Sequence, residues 1–306
     1  MTARRAPVLL LLALLATPSA SVAAQTCPFS GCPADPSPRR GTRLETAGIN
    51  ALLGGATAGA LRLARGGSGR DALRAAATGA AGGALVYAGK RVSVERWDGA
   101  GLAGRELAAV GASVVYNASS GRGALSRVAL PFGPVRLWVH ADSGFRVRPR
   151  LDVGSAVATV AMAGQRGSSL DWGESLSAGA PVFRRAAGFG VPGSSGRHVA
   201  GVVQVDDPDD PLDPDEVRQA RDALAHERVH VLQNDQAYLF WGAPLEDALL
   251  GGTRAGRALR RHLDLGLHLP LTAFANEMVD YDARPWEREA YLLNRPGEEE
   301  GGYTGR

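Results

Sequence analysis

The sequence predicts an α+β fold in three blocks: an N-terminal Ala/Gly-rich helical hairpin, a β-rich antiparallel middle and an α-helical C-terminal part. Three observations carry this reading. Small apolar residues dominate 45–92 and recur four apart. Short β-branched runs separated by Gly, Pro, Asp and Ser fill 93–205. From residue 213 onward apolar residues recur at helical spacing, and no Gly or Pro interrupts the stretch from Asp215 to Trp241.

Ahead of these blocks, Arg4 and Arg5 precede an apolar run from Ala6 to Ala16, and Val22-Ala23-Ala24 supplies small residues. Residues 1–24 therefore read as a secretory signal peptide, and the expected location is periplasm, cell envelope or exterior. Cys27 and Cys32 are the two cysteines of the chain. In an oxidising compartment they could close a small loop, too local to hold the fold. Residues 25–44, rich in Pro, Ser and Arg, read as a linker, and the Gly/Glu tail 297–306 as disordered.

Within the hairpin, the stretches Ala47 to Leu63 and Ala72 to Gly89 flank a polar turn from Arg65 to Arg70. Gly55 with Gly59, and Gly79 with Gly83, let two helix backbones approach closely. A tightly packed soluble pair is the expected form. The stretches are 17 and 18 residues long, at the lower limit for a bilayer span, so membrane association through 47–89 is the alternative.

In the middle block, Arg91 to Glu95, Ala112 to Tyr116, Val135 to His140, Phe145 to Arg148 and Val199 to Val205 read as strands. Leu102 to Val110 reads as a short helix between them. Leu151 to Ala163, broken by Gly154, reads as a further strand pair. Trp138 and Trp172 are expected to anchor the core. The acidic run Asp206 to Asp213 is a linker, because it lacks the Gly and terminal Glu of a calcium loop.

The last block carries the chemistry. His226-Glu227-Arg228-Val229-His230 reads H-E-x-x-H. On a helix, residues i and i+4 share a face, so both imidazoles can reach one metal ion while Glu227 serves as general base. Asp213 suits an N-cap and Pro214 a first helical position, which places the motif inside a helix. Arg228 should point away from the 226/230 face. A catalytic zinc needs a third protein ligand. Pro285 to Tyr291 opens another helix with Glu287 and Glu289, two residues apart, so only one of them can face the metal.

The pairing of H-E-x-x-H with a later E-x-x-A, Glu287 to Ala290, resembles the gluzincin group of zincin metallopeptidases over about residues 213–294. The resemblance implies a Zn2+ site of His226, His230 and Glu287, with Glu227 as catalytic base and a peptide or protein as substrate. Such enzymes often carry Asp after the second motif, where Tyr291 stands here. Gln233, three residues past His230, is also similar to H-E-x-x-H-x-x-Q proteins of bacterial envelopes.

Tyr281, Tyr291 and His268 are residue types that can stabilise an oxyanion, although packing is the expected role of each. His140, His198 and His262 have no partner at metal spacing and are read as structural. Arg254, Arg257, Arg260 and Arg261 are read as a solvated basic face. The net charge of +3 comes without a basic stripe interleaved with aromatics, which argues against nucleic acid as a partner. The competing functional expectation is a non-catalytic envelope-associated scaffold whose metal site is structural or degenerate.

Overall fold

A computed structural model describes residues 42–142, 144–186, 196–208, 211–279 and 284–294. The expected signal peptide, the Cys27/Cys32 pair, most of the linker, Tyr281 and the C-terminal tail lie outside the described residues. The architecture is α+β, mostly helical, with two mixed sheets of four strands each.

Helices α1 (Arg43–Ala64) and α2 (Gly69–Ser93) form the hairpin. Each starts with a capping box, Thr42 with Glu45 and Ser68 with Asp71, in which side chain and backbone exchange hydrogen bonds. Their glycines face one another. A Cβ at Gly83 would overlap the Asn50 carbonyl, and one at Gly54 the Gly79 carbonyl, so the two backbones sit in direct contact.

Three sequence expectations change here. Arg91 to Ser93 ends α2 instead of opening a strand. Ala112 to Tyr116 is the interior of α3 (Ala100–Ser119), a helix twice as long as the short one expected from Leu102. Its Ser-Val-Val-Tyr run has strand character, but α3 is sandwiched between α2 and the rest of the molecule, and burial on nearly every side overrides the local preference. Val153–Ala163 is likewise a helix, α4, capped by Asp152, whose carboxylate accepts the Ser155 N–H.

Between these helices β1 (Arg127–Phe132), β2 (Val135–His140) and β3 (Arg146–Asp152) form an antiparallel meander. In the second sheet β4 (Ser168–Leu170), β5 (Val182–Arg185), β6 (Gly196–Val199) and β7 (Val202–Asp206) stand in the order β4-β5-β7-β6. The expected all-antiparallel pairing does not hold, because β5 runs parallel to β7. The short α5 (Trp172–Ala178) separates β4 from β5. Trp138 is buried as expected, whereas Trp172, at the start of α5, is 71 % exposed and anchors nothing.

Helix α6 (Pro214–Ala237) starts where the sequence places it, with Asp213 capping and Pro214 in the first turn. It continues through a π-helical turn, Tyr238–Gly242, into α7 (Ala243–Leu250). Pro244 lacks an amide N–H, and the wider turn before it absorbs the misfit. α8 (Arg254–His262) leads to β8 (Leu263–Asp264), which adds to β3 in parallel. α9 (Leu269–Glu277) and α10 (Pro285–Leu293) complete the described chain.

A network of buried charges ties these elements together. Asp235, near the end of α6, accepts from Arg105 Nε of α3 at 2.7 Å and from Arg136 of β2 at 3.2 Å. Arg136 also pairs with Asp152 at 2.9 Å and Asp264 at 3.0 Å, and its guanidinium lies 4.0 Å over the Tyr238 ring. Burial alone would raise the Asp235 carboxyl, but the charges of Arg105 and Arg136 outweigh it and hold Asp235 below its ordinary value. Arg260 corrects the expectation of a uniformly solvated basic face: it is buried against Glu246, Asp247 and Asp264.

Removing one partner of a buried network strands the others without compensation. Asp235→Ala should therefore cost about 3–5 kcal/mol of unfolding free energy. Urea denaturation followed by circular dichroism measures it, and a loss below about 1 kcal/mol would show that Arg105 and Arg136 find other partners.

Candidate metal centre

One turn of α6 separates His226 from His230, and their rings meet edge to face with centroids 4.8 Å apart. α10 packs alongside and brings Glu287 to them. His226 Nε2 and His230 Nε2 are 3.1 Å apart, and Glu287 Oε2 is 3.2 Å from each. All three residues are buried. Thus the three residues named from sequence converge, and they form a group able to hold a metal ion.

The hydrogen bonds around the group fix its chemistry. Gln233 Nε2 donates to the Trp286 carbonyl at 3.0 Å and to Glu289 at 2.8 Å. That orientation turns Gln233 Oε1 toward His230 Nδ1, 2.7 Å away. An amide oxygen can only accept, so Nδ1 carries a proton, and in the neutral imidazole it is His230 Nε2 that presents the lone pair. It faces a carboxylate oxygen and a second imidazole nitrogen at contact distance. Lone pairs so placed repel unless a proton or a cation lies among them.

A triangle of such edges has its centre about 1.8 Å from each corner, close to the about 2.0–2.2 Å of zinc bonds to nitrogen and oxygen. Two imidazoles and a carboxylate are also a donor set that zinc takes. The residues present fit a divalent ion of that kind.

Glu289, the other carboxylate considered from sequence, is not part of the triangle. It accepts from Lys90 Nζ at 2.8 Å, from Asn50 Nδ2 at 2.7 Å and from Gln233. Lys90 is 1 % exposed and also donates to Asn50 Oδ1. Burial alone would raise the Glu289 carboxyl, but the charge of Lys90 and these hydrogen bonds hold it below the usual range. Glu289 is therefore a charged anchor that fixes Gln233, and through it His230. No spacing in the sequence announces this link, since Asn50 and Lys90 lie in the N-terminal hairpin.

Glu227 is buried beside the group, with its side chain against β6. A Cβ on Gly196 would come within 3.1 Å of Glu227 Cγ and 3.2 Å of Oε1, so the glycine leaves the space the carboxylate occupies. Burial pushes the Glu227 carboxyl up, and the nearby His230 and His226 oppose this only in part.

His198, read from sequence as structural, lies on β6 with its ring 6.2 Å from that of His230. Its Nε2 accepts the Gly201 N–H at 2.8 Å, and burial together with the neighbouring His230 lowers it to about 3. It is a neutral imidazole at the rim of the group. Tyr291 packs its ring 4.4 Å from His226 in the place of the expected Asp. Arg228 points the other way, to Glu174 at 2.8 Å. His268 bonds Asn234 and stacks edge-on to Tyr238, and His140 is buried on β2.

Replacing Lys90 by Met should weaken zinc binding about 10- to 100-fold, because Gln233 loses the fixed anion that orients it. Competition with a chromophoric chelator reads this directly. His268 gives a pH prediction. Burial lowers it to about 4, against about 6.5 for an unfolded histidine. Between these values the unfolded chain binds a proton that the native chain refuses. Stability should therefore fall as pH drops from about 6.5 toward 4, by up to about 1.4 kcal/mol per unit for this residue. His268→Gln should flatten that slope by about one proton in denaturant titrations repeated across this range.

No family model, curated protein or solved structure matches this chain. Any kinship with zincins therefore rests on the motif residues of α6 and α10 alone.

Proposed function

We propose that this chain is an exported zinc-dependent hydrolase, most simply a metallopeptidase. The observation that carries the reading is the convergence of His226, His230 and Glu287, with His230 oriented by Gln233 and the buried Glu227 directly alongside. When bound there, zinc supplies Lewis acidity and brings the pKa of a coordinated water near neutrality.

The chain's own groups do the rest. His226, His230 and Glu287 hold the ion, and Gln233 keeps His230 in the ligating tautomer. Glu227 takes a proton from the attacking water and returns it to the departing amine nitrogen. Neutral His198 and Tyr291 flank the group from opposite partners, beside His230 and His226 respectively.

Glu227→Gln preserves shape and removes the base. The expected result is stoichiometric zinc in both wild type and variant, with peptide hydrolysis reduced about 10²- to 10⁴-fold in the variant. Metal analysis and a fluorogenic peptide library supply the two readouts. Equal hydrolysis by both proteins would refute Glu227 as base. Tight zinc with no hydrolysis by the wild type would favour the scaffold reading.

A further inference from the structure

The hairpin is packed inside out for a protein surrounded by water. An amphipathic helix at a soluble surface turns its large aliphatic residues inward and its polar residues outward. Here the inner contacts are made by glycine and alanine. Gly54 meets Gly79, Gly55 meets Ala76 and Gly83 meets Asn50 between α1 and α2, while Gly82 meets Gly111 and Gly89 meets Gly104 between α2 and α3. The large side chains are left outside: Ile49, Leu52, Leu53 and Leu63 on α1, Leu73 and Leu85 on α2. Leu52 and Leu73 are 73 % and 74 % exposed. Small residues between helices with aliphatic residues outward is the arrangement of helices that meet lipid.

Charge placement follows the same logic. No ionisable acid or base occurs from Thr46 to Leu61 or from Ala75 to Val86, and every exposed residue in these two runs is apolar. Cations gather at the hairpin tip: Arg62 pairs with Asp71 and Arg65 donates to Ser119 and Ser120, while Arg70 and Arg74 are exposed. The uncharged run of α1 is about 24 Å long, short of the about 30 Å hydrocarbon core. Among the described residues no helix is long and apolar enough to cross a membrane. The face thus suits the boundary of one leaflet, not a span.

We infer that the outer face of α1 and α2 docks on an anionic lipid bilayer. The exposed leucines enter the acyl boundary, and the exposed Arg70 and Arg74 meet headgroup phosphates. This is independent of the hydrolase reading, since it uses none of the residues of the metal centre.

The test is flotation of the full chain with vesicles of phosphatidylglycerol and phosphatidylethanolamine, compared with phosphatidylcholine vesicles. The protein should float with the anionic vesicles, and added salt should weaken the association. The Leu52→Glu/Leu73→Glu variant changes only exposed positions. It should keep its circular dichroism and melting temperature while the bound fraction falls about tenfold or more. Arg70→Gln/Arg74→Gln should reduce the preference for anionic over neutral vesicles. The Ala6 to Ala16 run is present in every protein compared, so differences between them report on the helical face. Equal flotation of wild type and leucine variant would overturn the proposal. So would absence of flotation, including the case where sedimentation finds a wild-type dimer that the leucine variant abolishes, which would assign the face to a second copy.

Discussion

Asp235 is the hinge-pin of the structure. It lies nine residues beyond His226 on α6, which at 100° per residue is about half a turn round the helix from the side that carries His226. One side of α6 is thus gripped by Arg105 of α3 and Arg136 of β2, and the opposite side presents imidazoles to Glu287. Two buried guanidiniums on one carboxylate fix both the rotation and the height of the helix. A metal triad tolerates errors of only a few tenths of an ångström, so a rigid grip on the far side of the helix matters as much as the ligands themselves.

The same economy of contacts runs outward from the triad. His230 is turned by Gln233, Gln233 by Glu289, and Glu289 by Lys90 and Asn50. Each link is a directional hydrogen bond among enclosed groups, where water offers no alternative partner. The hairpin is therefore built into the candidate metal centre, although none of its residues belongs to the His226, His230 and Glu287 group. Gln233 orients His230, whereas Tyr291 packs on the ring of His226.

The parts of this arrangement that were legible in the sequence are those governed by neighbours along the chain. The cap at Asp213, the proline at 214 and the i, i+4 spacing place His226 and His230 on one helical face without any knowledge of the fold. The resemblance selects Glu287 over Glu289, but the groups that claim Glu289 come from residues 50 and 90 and leave no mark near either carboxylate in the sequence. Ala112 to Tyr116 departs from its strand expectation for a related reason: β-branched residues favour strands on average, but here Val114 and Val115 fill space between packed helices. The nearness of His198 to His230 arises from β6 lying against α6, a tertiary contact with no counterpart in sequence spacing.

The tie between Lys90 and Glu289 has a temporal consequence. Translation delivers the hairpin first and α10 nearly two hundred residues later. A nascent chain that has emerged only as far as α6 owns both imidazoles and Glu227 but lacks the carboxylate that completes the set, and its buried lysine has no counter-ion. The group able to hold a metal therefore stays incomplete until α10 has been added to the chain.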